Sequence, residues 1–266
     1  KLDLIIGEGP AARSVQIDLP MPDGSLKAFK VVESPIYEAG FSLIFPDLRT
    51  YSVIDPNNRG IKGRIDISPY GFHAMIKTPE GYFYVDPYTH QNTNFVKSYY
   101  RKDYESINQD TDVFSCATAD PEVLPSPGLE LPSNPQPVVQ SGEELRVYRL
   151  ALACTGEYAT FHGGTVAQVQ AAMLTTINRV NEVYENDFAV RLVLIANNNI
   201  LTELDAATDP YTNGTTGTMI NEAQTEITNA IRPSNFDIGH LFGTDSGGLA
   251  GLGVVCSNAQ KARGVT

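Results

Sequence analysis

LRVYRLALAC (145–154), TVAQVQAAMLTTINRVNEVYEN (165–186) and AVRLVLIAN (189–197) decide the fold of the C-terminal half of this chain. The first stretch reads as a strand. In the second, Thr165 followed three residues on by Gln168 makes a capping-box pairing. Val166, Val169, Met173, Ile177, Val180 and Tyr184 then recur three or four apart, which places them on one helix face. The third stretch is a nearly continuous apolar run, as a strand covered on both faces requires. Further on, a Gly/Thr/Asn loop (208–217) leads into a second helical pattern with Ile220, Ala223, Ile227 and Ile231 on its apolar face, and Pro233 ends it. FDIGHLFGT (236–244) reads as a third strand and the Gly-rich GGLAGLGVVCS (247–257) as a fourth. Strands alternating with helices predict a parallel sheet with right-handed crossovers.

The N-terminal part, about residues 10–112, has a different pattern. VQIDLPMPDGSLKAFKVVES (15–34) alternates apolar and polar residues around Pro22-Asp23-Gly24, a hairpin cue. RIDIS (64–68), FHAMIKT (72–78) and YFYVDPY (82–88) follow, the last two separated by Pro79-Glu80-Gly81. This predicts a mostly β domain. Between the halves, Pro121, Pro125, Pro127, Pro132, Pro135 and Pro137 fall within 17 residues. That composition favours an extended, solvated connector, a preferred place for proteolytic cutting. The sequence thus predicts a two-domain chain: a mostly β (α+β) domain over 1–112, a Pro-rich linker over 113–144, and an α/β domain over 145–266.

Composition bounds the function. The chain has 266 residues, 42% apolar and 19% charged, enough to bury cores of two domains. Lys and Arg number 19 against 31 Asp and Glu, a net charge of −12, which opposes a nucleic-acid partner. No apolar run approaches the about 18 residues needed for a membrane span. Residues 1–6 are too short for a signal peptide, and the opening on Lys1 gives the expectation of a processed or cut N-terminus. The three cysteines, Cys116, Cys154 and Cys256, are too few and odd in number for a disulfide scaffold. Cys154 and Cys256 either pair or stand as thiols. The four histidines, His73, His90, His162 and His240, are scattered, and no two are spaced i, i+4.

Few residues offer chemistry by themselves. The glycines Gly247, Gly248, Gly251 and Gly253 follow a third strand with no helix after them, which excludes a dinucleotide loop. Glycines in a strand mark a bulge or the close approach of another backbone. An edge strand of that kind can pair with an extended peptide. His240 falls inside a predicted buried strand and reads as structural, and neither His162 nor His73 reads as a catalytic base. Asn213-Gly214-Thr215 is a glycosylation sequon, meaningful in a eukaryotic secretory host.

RLALACTGEYATFHGGT (149–165), TTINRVNEVYENDFAVRLVLI (175–195) and above all FDIGHLFGT…GGLAGLGVVCSNAQKARGVT (236–266) resemble the N-terminal part of the catalytic domain of a reprolysin-like (adamalysin-like) zinc metallopeptidase of the metzincin group, nearest the secreted bacterial members. LPMPDGSLKAFKVVESP (19–35), SPYGFHAMI (68–76), YVDPY (84–88) and SYYRKDY (98–104) are similar to their propeptide. The resemblance implies an inhibitory propeptide over 1–112. It also implies a metzincin-like twisted mixed sheet with two helices over 145–266, truncated before the zinc motif. Protein or peptide substrates, zinc as cofactor and an extracellular, secreted setting are implied as well.

In that family a segment like KARGVT is followed closely by H-E-x-x-H-x-x-G-x-x-H, which holds zinc and supplies the general base. These 266 residues stop before it, so zinc ligands are expected mainly beyond Thr266, on a companion C-terminal polypeptide, and this chain alone is expected to be inactive. The resemblance makes the Gly-rich strand, centred on Ala250, Gly251, Leu252 and Gly253, the rim that holds extended substrate by main-chain hydrogen bonds. It makes Cys116 a candidate cysteine switch, its thiolate capping zinc in the latent state, with Asp112 and Asp120 as less favoured substitutes. If Cys154 pairs with Cys256, Cys116 is the cysteine left over. The family's calcium-binding acid in the first strand is matched by Arg149, so that site is not carried over. The function implied is the zymogen, or nicked zymogen, of a secreted zinc endopeptidase. The alternative is a non-catalytic binding or inhibitory protein derived from a propeptide and half-domain.

Overall fold

A computed structural model describes residues 14–89, 92–107, 144–244 and 247–266. The chain divides into two compact units. One draws its described residues from Lys1–Ile36, Ser42–Thr111 and Leu174–Val183, the other from Tyr37–Phe41, Asp112–Met173 and Tyr184–Thr266.

The first unit is built on a seven-stranded antiparallel meander in chain order: β1 (Ser14–Pro20), β2 (Leu26–Glu33), β3 (Arg49–Ile54), β4 (Lys62–Ser68), β5 (Gly71–Thr78), β6 (Gly81–Thr89) and β7 (Asn92–Tyr100). The β1–β2 turn follows its sequence cue. Gly24 takes φ +84, a left-handed value that glycine adopts without steric cost, and the Asp23 carboxylate accepts the Ser25 amide at 2.9 Å. Because strand side chains alternate, the register Tyr51–Ile65, Ile65–Ala74 and Ala74–Val85 lays one buried apolar row across four strands. β3 and β7 are strands the sequence reading did not single out. β7 (NTNFVKSYY) is largely exposed and lacks a clean apolar alternation, as suits an edge strand.

The second unit holds a five-stranded mixed sheet in the order β11-β12-β10-β8-β9. β8 (Arg146–Cys154) lies parallel to β9 (Val190–Leu194) on one side and to β10 (Ile238–Phe242) on the other. β10 is parallel to β12 (Gly264–Val265), and β11 (Leu249–Ala250) runs antiparallel to β12. The predicted long fourth strand is thus a two-residue strand, and the chain then turns repeatedly, with positive φ at Gly253 (+69) and Cys256 (+63). The N-terminal half of the chain holds the short helices α1 (Ala39–Ile44) and α2 (Arg101–Ile107). Where two helices were expected over 145–266, the chain forms the long α4 (Val166–Asp187), whose Leu174–Val183 stretch belongs to the first unit, α5 (Thr216–Ile231) and, in addition, the short α3 (Gly156–Phe161). Its signal is the N-cap Thr155, whose hydroxyl accepts the Tyr158 amide. Thr165 caps α4 as predicted, with its hydroxyl accepting the Gln168 amide. The core gathers Ala151, Ala153, Ile195, Ile220, Ala223, Ile227, Phe236 and Leu241.

β8 has nine residues and β9 only five, so the ladder beside β8 would end early. The fully buried Asn198 fills the gap. Its Oδ1 accepts the Leu152 amide at 2.8 Å and its Nδ2 donates to the Leu152 carbonyl at 3.0 Å, as a strand backbone would. Pairing resumes beyond it at Cys154–Thr202. Among the described residues, no helix is long and apolar enough to cross a membrane.

Candidate functional site: an open sheet edge

β11 lies at the end of the mixed sheet. It has β12 on one side and, among the described residues, no strand on the other. Leu249 faces Val265 and Ala250 faces Gly264 in the register. The Gly251 amide donates to the Arg263 carbonyl at 2.9 Å. Since alternate residues of a strand point their amide and carbonyl to opposite edges, Gly251 bonds inward and Ala250 presents both groups outward. Of the four residues expected on the rim, Ala250 is in the strand, Gly251 extends its ladder, and Leu252 and Gly253 lie in the turn that follows.

Glycines let this rim close up. A Cβ on Gly264 would meet the His240 Nδ1 at 2.7 Å, and one on Gly239 would meet the Ala262 Cβ at 2.5 Å. The His240 ring therefore lies against β12, with Nε2 at 2.9 Å from the Thr266 hydroxyl. Burial pushes its pKa down to about 4, so the ring is neutral at physiological pH. The Asn213 side chain ties the 208–217 loop to the end of β10. Its Nδ2 donates to the Thr244 hydroxyl at 2.9 Å and its Oδ1 accepts the Thr244 amide at 3.2 Å, so the sequon's amide is already engaged.

The strands reach the rim from a charged base. Arg149 donates to both carboxylate oxygens of Asp237, Nη2 to Oδ1 at 2.8 Å and Nε to Oδ2 at 3.1 Å. Hydrogen bonds from Arg149 hold the Asp237 carboxyl below the usual carboxylate range. The buried Lys261 donates to the carbonyls of Pro233 and Phe236 and to the Asn258 Oδ1, which fixes the segment entering β12.

The remaining sequence candidates are dispersed. Cys154 is buried at the end of β8, where burial pushes its thiol up to about 12, while Cys256 is exposed. Both are free thiols, so the pairing that would single out Cys116 by parity is not formed. Cys116, Asp112, Asp120 and His90 lie outside the described residues. His162 caps α3, its ring 4.3 Å from that of Tyr158. His73 Nδ1 sits 3.0 Å from the Asp66 Oδ2 in the first unit. Among the described residues, no three His, Cys, Asp or Glu side chains come together as a metal site. The donors among the described residues do not fit zinc.

What the sequence pattern concealed is on α4. Gln170, Asn178, Asn181 and Glu182 read as its solvent side, yet each is at most 4% exposed. No hydropathy period reveals a polar residue that is buried among polar partners.

A mixed α/β sheet of mostly parallel strands, ending in an open antiparallel edge strand, defines the class of the second unit. Residues 144–266 match the model of the metallopeptidase family M12B, reprolysin-like, and this part of the chain is similar to that family. The match supports a metallopeptidase as the kind of parent protein, and peptidases of this family depend on zinc in general. No curated protein matches the chain.

Proposed function

We propose that this chain is the N-terminal part of the zymogen of a secreted zinc endopeptidase. Residues 1–112 act as the inhibitory propeptide, residues 113–144 as the linker cut on activation, and residues 145–266 as the upper part of the catalytic domain. Ala250, Gly251, Leu252 and Gly253 line the rim that receives an extended peptide, and Cys116 caps the zinc in the latent form. The zinc ligands and the general base are supplied from beyond Thr266.

The observation that carries this reading is the open edge of β11 within the family-matched segment. An extended peptide laid along it meets the outward amide and carbonyl of Ala250 and gains main-chain hydrogen bonds without any side-chain requirement. The family match favours the peptidase over the binding-protein alternative.

The test is Ala250→Pro in the full-length protein. Proline removes the outward amide and leaves the inward ladder of Gly251 in place. A loss of one hydrogen bond to substrate raises KM by about tenfold with kcat little changed. An unchanged KM rejects the rim assignment.

A further inference from the structure

The two compact units do not follow the halves of the sequence. A short N-terminal segment, Tyr37–Phe41, belongs to the unit of the mixed sheet, and a stretch of the long C-terminal helix, Leu174–Val183, belongs to the unit of the meander. Each exchange is made by specific hydrogen bonds.

In the second unit, Tyr37 forms a parallel bridge to Leu194 at the free side of β9. The Glu38 amide donates to the Leu194 carbonyl at 2.9 Å, and its carboxylate accepts the Ala196 amide at 2.8 Å. Contact at the next turn is close, since a Cβ on Gly40 would meet the Ala196 Cβ at 2.7 Å. This segment continues the sheet past β9 and satisfies backbone groups of 194–196.

In the first unit, the helical stretch supplies partners to buried polar side chains of β4. Arg64 is 2% exposed, Asp66 2% and Asn178 1%. Arg64 Nε donates to the Asn178 Oδ1 at 2.7 Å and its Nη2 to the Ser34 carbonyl at 2.7 Å. Asp66 accepts the Thr175 hydroxyl at 2.6 Å and the Asn178 Nδ2 at 3.2 Å. Arg179 pairs with Asp86, which also accepts the Tyr99 hydroxyl at 2.6 Å. The Arg179 guanidinium lies 5.2 Å from the centroid of the Tyr84 ring. A meander deprived of this stretch would keep the Ser34 carbonyl on Arg64 and His73 beside Asp66, but the buried arginine and aspartate would lose the hydrogen bonds that the helix supplies, a costly outcome for buried ions.

We propose that residues 14–107 and 144–266 remain a tight two-piece complex when the chain is cut between them. They are held by the Tyr37–Phe41 strap on β9 and by the Arg64–Asp66–Asp86 socket on Thr175, Asn178 and Arg179. The partner of the N-terminal piece is therefore a helix face bearing hydroxyl, amide and guanidinium groups three and four residues apart, found on its own chain. Cutting alone does not free either piece. This inference does not rest on the peptidase reading, because the test needs no activity.

The experiment uses the full chain with the recognition sequence of a site-specific protease inserted between Ser133 and Asn134. After complete cutting at neutral pH, both pieces should elute together at the volume of the uncut chain. Arg179→Asp should weaken the complex at least tenfold, and the charge-swapped pair Asp86→Arg with Arg179→Asp should recover most of that loss. Wild-type pieces that elute separately would overturn the proposal, as would an Arg179→Asp complex as tight as wild type. If the charge variants do not fold, Gly40→Leu decides the matter. It wedges the strap away from Ala196, and at least tenfold weaker association is expected, whereas unchanged association would count against the proposal.

Discussion

Replacing Asn198 with leucine removes a side chain that substitutes for a strand. Asn198 is fully buried and makes two bonds to the Leu152 backbone, with a third from its Nδ2 to the Gln170 Oε1 at 3.1 Å. Leucine has the same number and branching of side-chain heavy atoms and is somewhat larger, so no cavity forms. The loss is that the Leu152 amide and carbonyl, in the middle of a strand that is 0–2% exposed from Leu150 to Cys154, have no partner. An unsatisfied buried polar group costs about 1–3 kcal/mol, so two cost about 2–6 kcal/mol, a large part of the about 5–15 kcal/mol that holds a domain folded. The chain has no Trp, so urea unfolding is best followed by far-UV circular dichroism. Amide hydrogen exchange localises the effect. Protection across 150–154 should fall by at least about thirtyfold, since every 1.4 kcal/mol is tenfold. Asn198→Asp keeps the acceptor for the Leu152 amide but loses the donor to its carbonyl, and should also be strongly destabilised. A leucine variant within about 1 kcal/mol of wild type would refute the reasoning, because it would mean that Leu152 finds other partners or that water enters.

Two further predictions concern pH. The pKa of His240 is lowered by burial to about 4, from an ordinary 6.5, so the unfolded chain binds the proton more readily than the folded one. Stability should then fall as pH drops from about 6.5 to about 4, by up to about 1.4 kcal/mol per pH unit, and His240→Gln should flatten that limb of the stability–pH curve; an identical limb in the variant would rule the assignment out. The Asp237 carboxyl is lowered by the hydrogen bonds from Arg149, so its contribution is full above the unfolded value of about 3.8 and is lost as pH falls further. Asp237→Asn should therefore destabilise at neutral pH and converge on wild type in acid, and a constant gap at all pH values would show that the ion pair is not its source.

Local physics made much of the fold legible. The apolar spacing of Val169, Met173 and Ile177 and the cap at Thr165 define most of α4 from within a few turns of chain. Pro233 closes α5, Asp23-Gly24 turns the first hairpin, and the apolar run at 189–197 contains β9. Each of these signals is written by neighbouring residues, so one sequence suffices to read it. The edge near Ala250 was legible only in part: the run Gly247, Gly248, Gly251 and Gly253 pointed to a strand over 247–257, whereas the strand is Leu249–Ala250 and the closest backbone approaches fall at Gly239 and Gly264.

The rest depended on residues far apart in the chain. β12 is two residues long, and its place between β10 and β11 follows from pairing with both, which no local period records. β11 is antiparallel because the turns after Gly251 bring Arg263 and Gly264 back beside it. Asn198, Asn178 and Arg64 look like surface residues until the fold gives each a buried partner, because hydropathy measures a side chain against water and not against the group it meets. The sequence by itself determined the first hairpin, the helices α4 and α5 and the strands β8, β9 and β10. Only the tertiary structure decided which polar groups are satisfied in the interior, and through them that each compact unit takes a piece from the other half of the chain.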